Sequence, residues 1–343
     1  RRCRSCQSKV EYNPPPLTGL QFCFPHVNNS CRRSSRLQLE ASFIYVLLSC
    51  ISVLTVALNL LVIISISHFR QLHTPTNLLL LSLAISDLLV GLLQMPVEIL
   101  VLANCWLLGD VACVAAIFLA FLLISASVGN MVLISVDRYV AVCEPMFYSS
   151  RISVRRVQLS VCLCWVLSAV HSGWLLRDKL TEPSRFHSCR GECLVVVNYA
   201  DGVVDLVVTF FGPFLVIVVL YMRVFVVAVS QARAVRRHAV ALQRSGTTTA
   251  KKSELKAART LGVVLLVFLL CSCPYYCFSV AAEHNVLAAE TVVVQVWLIY
   301  LNSCLNPVIY AFFYPWFRKS VRHIVTLRIL QPDSCEANML QRD

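Results

Sequence analysis

The chain has 343 residues, of which 58% are hydrophobic and 14% charged, with a mean hydropathy of +0.71. Soluble domains are about 25% charged, so this apolar excess must face lipid rather than fill a soluble core. The formal net charge of +12 would suit a nucleic-acid partner, but the basic residues sit at the ends of apolar segments, a membrane pattern that argues against nucleic acid.

In chain order, residues 1–40 are polar and rich in Pro, Ser and Arg, and read as an extracellular tail. The chain opens on Arg1 rather than Met, which leaves room for residues ahead of it. Asn28-Asn29-Ser30 in this tail is a glycosylation sequon, with Asn28 as acceptor. Seven apolar segments follow, at 43–67, 78–100, 112–136, 157–176, 203–229, 261–282 and 292–313, within a membrane domain expected over 41–313. Arg70, the Arg151/Arg155/Arg156 group, the run from Arg233 to Arg259 and the run from Arg318 to Arg328 follow the first, third, fifth and seventh segments. The positive-inside rule therefore puts those ends in the cytoplasm and the N-terminus outside. Residues 314–328 are aromatic and basic, as expected of an amphipathic helix on a membrane surface, and 329–343 read as a cytoplasmic tail. The fold class is thus an all-α membrane protein, a seven-helix bundle with a short eighth helix.

Seventeen cysteines divide between the predicted exterior, where disulfides are permitted, and the spans, where small apolar packing is the plain reading. The first group holds Cys3, Cys6, Cys23, Cys31, Cys105, Cys113, Cys189 and Cys193. Two carboxylates lie inside apolar runs, Asp87 in the second span and Asp205 in the fifth, and an ionisable group there is a functional hypothesis by default. Asp201 lies one turn before Asp205 on the same helical face and reads as a solvated helix-end acid, with a ligand role as the competing reading. There is no Ser/His/Asp set, no H-E-x-x-H and no phosphate-binding glycine loop, so no enzyme chemistry is indicated.

The last apolar segment ends in Asn302-Ser303-Cys304-Leu305-Asn306-Pro307-Val308-Ile309-Tyr310, followed by Tyr314-Pro315-Trp316-Phe317-Arg318-Lys319. An Asn-Pro inside an apolar helix is costly and marks a working part. Together with Asp137-Arg138-Tyr139 at the end of the third span, this run resembles the rhodopsin-like G-protein-coupled receptors, and in particular the trace amine-associated receptors. The resemblance implies a receptor of the plasma membrane for small amines, acting through a heterotrimeric G protein of the stimulatory, olfactory type. A serotonin-like amine receptor and, from another class, a secondary transporter are the competing readings.

The resemblance assigns roles residue by residue. Arg138 would pair with Asp137 and Glu254 at rest, with Tyr139 beside them and Tyr221, Asn306, Pro307 and Tyr310 completing the switch. Asp87 would share a pocket with Asn59, Ser127, Asn302, Ser303 and Asn306. Their oxygens suit a hard cation, which in the family is an allosteric sodium ion, while a hydrated polar network is the alternative. No other cofactor is implied. Cys113 would pair with Cys193, and Cys189 with Cys31, Cys23 being the competitor for Cys189. The ligand site departs from most relatives: the position eighteen residues before Arg138 is Ala120 where amine receptors carry Asp. A fish subset with the same loss gains an acid where Asp205 stands, eight residues before Pro213. Around it the resemblance places Phe121, Ile124, Thr209, Tyr275, Tyr276, Val296 and Tyr300. Ser272 stands where most relatives have Trp.

Overall fold

The computed structural model describes residues 23, 24, 26, 29–31, 38–102, 105–181, 189, 191, 193, 197–241, 262–263, 266–277 and 289–340. Among these, six helical spans are long and apolar enough to cross a membrane. They are α1 (Gln38–His68), a second span made of α2 (Pro75–Leu89) and α3 (Met95–Leu102), α4 (Gly109–Cys143), α6 (Val154–Leu175), a fifth span made of α8 (Tyr199–Leu206) and α9 (Gly212–Ala241), and α11 (Ala289–Phe313). Short helices α5 (Pro145–Arg151) and α7 (Arg177–Thr181) flank α6, and α12 (Pro315–Val325) follows α11. A shorter apolar helix, α10 (Leu266–Cys277), occupies part of the sixth predicted segment. Most helices outrun their apolar segments by a turn or so, because hydropathy marks the lipid-facing length and the backbone ladder continues into polar flanks.

Proline sets the local geometry. Pro75, Pro145 and Pro315 open α2, α5 and α12, where a missing N–H costs nothing, and Thr74 adds a side-chain cap by accepting from the Asn77 N–H. Pro96 and Pro213 each follow a wide π-type turn, at Val90–Gln94 and Val207–Phe211. Widening keeps the ring clear of the carbonyl four residues back and leaves backbone groups to be satisfied elsewhere. In the second span, the Met95 N–H bonds to Val90, and the released Gly91 carbonyl accepts from Ser52 Oγ at 2.6 Å. Gly91 is also required by contact: a Cβ there would lie 2.9 Å from Thr55 of α1. Pro307 stands inside a continuous α11 and cannot donate to the Ser303 carbonyl. Asn59 of α1 does so instead, its Nδ2 lying 3.0 Å from that oxygen.

The bundle is apolar on its outer faces and carries buried polar groups within an otherwise apolar interior. Phe43, Leu159, Val170 and Phe225 are among many large side chains exposed on the outer faces, whereas Asp87, Asn130 and Asn306 are fully buried. α4 is central and packs on α2, α6 and α9, while α1 packs on α2, α11 and α12. One core cluster joins Leu80, Met131, Ile217, Phe268 and Tyr310 to Trp316 and Phe317 of α12. A second cluster at the other end joins Leu48, Met95, Leu123, Trp297 and Tyr300. α12 buries Trp316, Phe317 and Ser320 and leaves Arg318 exposed.

Candidate functional site

Three disulfides tie together one end of the bundle, the end that the sequence leads one to expect outside and that is called outer below. Cys113 at the start of α4 is bonded to Cys193, Cys31 to Cys189, and Cys23 to Cys105. Cys23 therefore holds the loop between the second and third spans rather than competing for Cys189. That bridge was not expected from sequence, because both cysteines were legible as extracellular but nothing in their spacing paired them. Trp106 completes the junction by donating its backbone N–H to the Gly191 carbonyl at 2.9 Å. Asn28, Glu192 and Glu283 lie outside the described residues.

Beneath this cap the fifth span presents its acids. The π-type turn after α8 places Thr209 so that its Oγ1 donates to the Asp205 carbonyl at 2.6 Å and stands 3.3 Å from Asp205 Oδ1. Tyr276 of α10 meets the same hydroxyl at 3.2 Å and stacks on Phe210 with ring centroids 4.5 Å apart. Tyr275 packs edge-on against Tyr276 and lies within electrostatic reach of both Asp205 and Glu98. The unforeseen member is His171 of α6, whose Nε2 lies 3.6 Å from Asp205 Oδ1 while its Nδ1 meets Ser125 Oγ of α4 at 3.3 Å. The available signal was an ionisable side chain inside an apolar segment.

Asp201 corrects the reading of a solvated helix-end acid. It is only 7% exposed, and its Oδ2 is 2.8 Å from Arg177 Nη2. Arg177 is the first residue of the short helix α7, and the reach of a residue between two spans across to another span is invisible to periodicity. Across the bundle, Glu98 of α3 accepts from Gln94 at 3.2 Å and from the Tyr300 hydroxyl at 3.1 Å. Val296 packs in the cluster around Tyr300, and Phe121 in the one around Trp106 and Ile117. Ala120 is half-buried and brings no charge.

A cavity of about 20 Å³ lies deeper, enough for a water molecule or a small ion. It is lined by Ile124, Ser272, Tyr276 and Tyr300 together with Ser127, Asn302 and Ser303, so it joins two residue sets that the sequence treats as separate. Asp205, Thr209, Tyr275 and Val296 do not line it. Alongside, Asp87 Oδ2 accepts from Asn306 Nδ2 at 2.8 Å. Asp87 Oδ1, Asn302 Oδ1 and Asn306 Oδ1 are buried without a hydrogen-bond partner among the described residues. Orphaned oxygens of this kind fit a hard cation.

At the opposite end, called inner below on the same expectation, Arg138 is held close to its own helix. Its Nε and Nη2 lie 3.0 Å and 2.5 Å from Asp137 Oδ2, and Nη2 also reaches Thr76 Oγ1. Thr76 donates to the same carboxylate oxygen at 2.9 Å, and the Tyr148 hydroxyl donates to Oδ1 at 3.1 Å. Thr76 and Tyr148 had no sequence signal, since neither is apolar, charged or in a motif. Burial pushes the Tyr148 phenol above its ordinary range, so it remains a donor at physiological pH. Tyr139 and Tyr221 are half-buried, and Tyr310 is 1% exposed with its hydroxyl unbonded among the described residues. Glu254 lies outside the described residues.

Comparison with known proteins completes the picture. Residues 58–310 match the family model described as 7 transmembrane receptor (rhodopsin family). Trace amine-associated receptor 13c of Danio rerio is 37% identical over 97% of this chain and 98% of its own length. Trace amine-associated receptor 1 of Homo sapiens is 34% identical over 93% and 98%, and trace amine-associated receptor 4 of Mus musculus 35% identical over 93% and 95%. The chain therefore belongs to the rhodopsin family of seven-transmembrane receptors, multi-pass signalling proteins of the plasma membrane rather than enzymes, and within it to the trace amine-associated receptors.

Proposed function

We propose that the protein is a receptor for small amines whose ammonium is taken by Asp205, and that it signals through a stimulatory G protein of the olfactory type. The observation that carries this reading is a carboxylate in the outer half of the bundle with one oxygen, Oδ2, bonded by none of the described side chains. Ala120 offers no competing charge, and an uncompensated carboxylate in an apolar setting is stabilised by an incoming cation. Tyr275 and Tyr276 add aromatic faces for cation–π contact, Thr209 stands against Asp205, and Phe121, Ile124, Val296 and Tyr300 are included by family resemblance.

In this reading the N-terminus and the disulfide cap face outward, Asn28 carries glycan, and α12 lies on the inner lipid surface. The tail spans 1–40, the bundle 41–313, the eighth helix 314–328 and the cytoplasmic tail 329–343. A sodium ion would be held by Asp87, Ser127, Asn302, Ser303 and Asn306, where it would favour the resting bundle. Amine binding draws the outer ends of the spans together. At the inner end Arg138 leaves Asp137, and Glu254 by family resemblance, and becomes available to the G protein, with Tyr221 and Tyr310 moving in behind it. The bend at Pro274 serves as hinge where Ser272 replaces the usual Trp.

The test is a panel of mono-, di- and polyamines applied to the expressed receptor, with cAMP as readout. A rise in cAMP without uptake of the amine supports the reading. Amine accumulation in the cell would favour a transporter, and silence to all cationic amines would exclude an ammonium site at Asp205.

A further inference from the structure

His171 lies in the last two turns of α6 and is unused by the mechanism above, yet it faces the acid on which that mechanism depends. Its surroundings define its role. Ser125 on α4 stands 3.3 Å from Nδ1. When the serine O–H donates to Nδ1, the imidazole proton must sit on Nε2, directed at Asp205 Oδ1. The gap of 3.6 Å is longer than a hydrogen bond, and Nε2 is buried without a hydrogen-bond partner. The histidine is therefore aimed at the carboxylate and only loosely engaged with it.

The other groups facing this pair are neutral. Thr209 and Tyr276 bond to one another beside Asp205, with Tyr275 behind Tyr276. Of the described acids on the flanking elements, Asp201 is paired with Arg177 one turn outward, and Glu98, across the bundle, is bonded to the neutral Gln94 and Tyr300. His171 and Asp205 thus carry a net charge of −1 as a unit when the imidazole is neutral.

We propose that His171 is the resident partner of Asp205, and that a proton bound by this pair and the ammonium of an amine compete for the same negative charge. The inference rests on the amine reading given above. A proton taken up by the pair, whichever residue carries it, cancels the charge that attracts the ammonium. A neutral His171 does the opposite: it steers Oδ1 and leaves Oδ2 for the ligand. His171 is then a positioning residue that makes amine potency depend on external acidity.

Two measurements on the full-length receptor decide it. The first is a cAMP dose–response from pH 5.5 to 8.0 at matched surface expression, with n-hexylamine and 1,6-diaminohexane, both protonated throughout. Potency should fall by about tenfold or more on acidification in the wild type. In His171→Asn the midpoint of that fall should move to lower pH, because the proton loses one of its two holders. His171→Gln, longer but also uncharged, should behave as His171→Asn does. An unchanged midpoint in both variants overturns the proposal.

The second measurement uses no ligand: the melting temperatures of purified wild type, His171→Asn, Asp205→Asn and the double variant at pH 6 and pH 8. The proposal requires that the two substitutions fail to add, and fail more strongly at pH 6 than at pH 8, because acidification favours the form in which the pair holds its extra proton. Simple additivity at both values overturns it. Coupling in the melts combined with no response to any amine supports the His171–Asp205 unit and removes the amine reading instead.

Discussion

The two ends of the bundle treat their buried acids differently. At the inner end Asp137 meets Arg138 from the same turn, and Thr76 and Tyr148 supply further donors, so the carboxylate is neutralised and well bonded by its own chain. At the outer end Asp205 has a hydroxyl and a loosely aimed imidazole, and Glu98 an amide and a phenol. The hydroxyl, amide and phenol are neutral donors that do not answer the carboxylates' charge. In the proposed reading the outer end receives a cation there, whereas the inner end is closed on itself and would open to expose Arg138. Asp201 is the instructive exception, an outer acid whose charge Arg177 has already answered.

The largest effect that would break this contrast is at Asp137. Asp137→Asn leaves Arg138 without its countercharge, and removing one member of a buried pair costs about 3–5 kcal/mol. That cost falls on the resting state, so cAMP without ligand should rise at matched surface expression. Unchanged basal signalling would mean that Asp137 does not hold the resting state. Glu254→Ala is expected to act in the same direction, and basal signalling that stays level or falls would remove Glu254 from the lock.

At the outer end, Asp205→Asn keeps the shape and removes the charge. Losing a charge-assisted hydrogen bond costs about 1.5–3 kcal/mol, roughly a tenfold to hundredfold rise in half-effective amine concentration. Basal cAMP should not follow it. An unimpaired variant would shift attention to Glu98, Glu192 or Glu283 as counter-ion.

A smaller effect separates the two fifth-span acids. Arg177→Ala frees Asp201, so diamines long enough to span one helical turn should gain potency relative to monoamines. The gain should be about fivefold, since the ion pair is partly exposed and therefore weak. Asp201→Asn should do little to a monoamine, and a loss as large as that of Asp205→Asn would reverse the assignment of the anchor. The smallest change is expected for Tyr148→Phe, which deletes one neutral donor to Asp137 worth about 0.5–1.5 kcal/mol. Basal cAMP should rise modestly, and less than in Asp137→Asn.

Much of this was legible before any coordinates. The lipid-facing spans follow from composition, and the carboxylates at Asp87 and Asp205 and the proline at Pro307 announce themselves because each departs from the apolar segment around it, whereas the missing acid at Ala120 is visible only through the family resemblance. His171 carried the same signal but no motif to attach it to. Thr76, Tyr148 and Arg177 carried none, because a hydroxyl or an arginine between two spans is ordinary until a partner from another helix stands beside it. The Asn59 bond to the Ser303 carbonyl is of the same kind: sequence predicts that Pro307 frees an oxygen, and only packing says which side chain takes it.

The sequence by itself determined how many apolar segments there are, which residues are misfits within them, and which family they belong to, since all three depend on side-chain type and short spacing along one chain. The tertiary structure alone decided which misfits meet. It paired Cys23 with Cys105, gave Asp201 to Arg177, and set His171 against Asp205. Those contacts are fixed by the rotation and depth of one helix against another, and a side chain inside a bundle finds its partner across the core rather than along the chain.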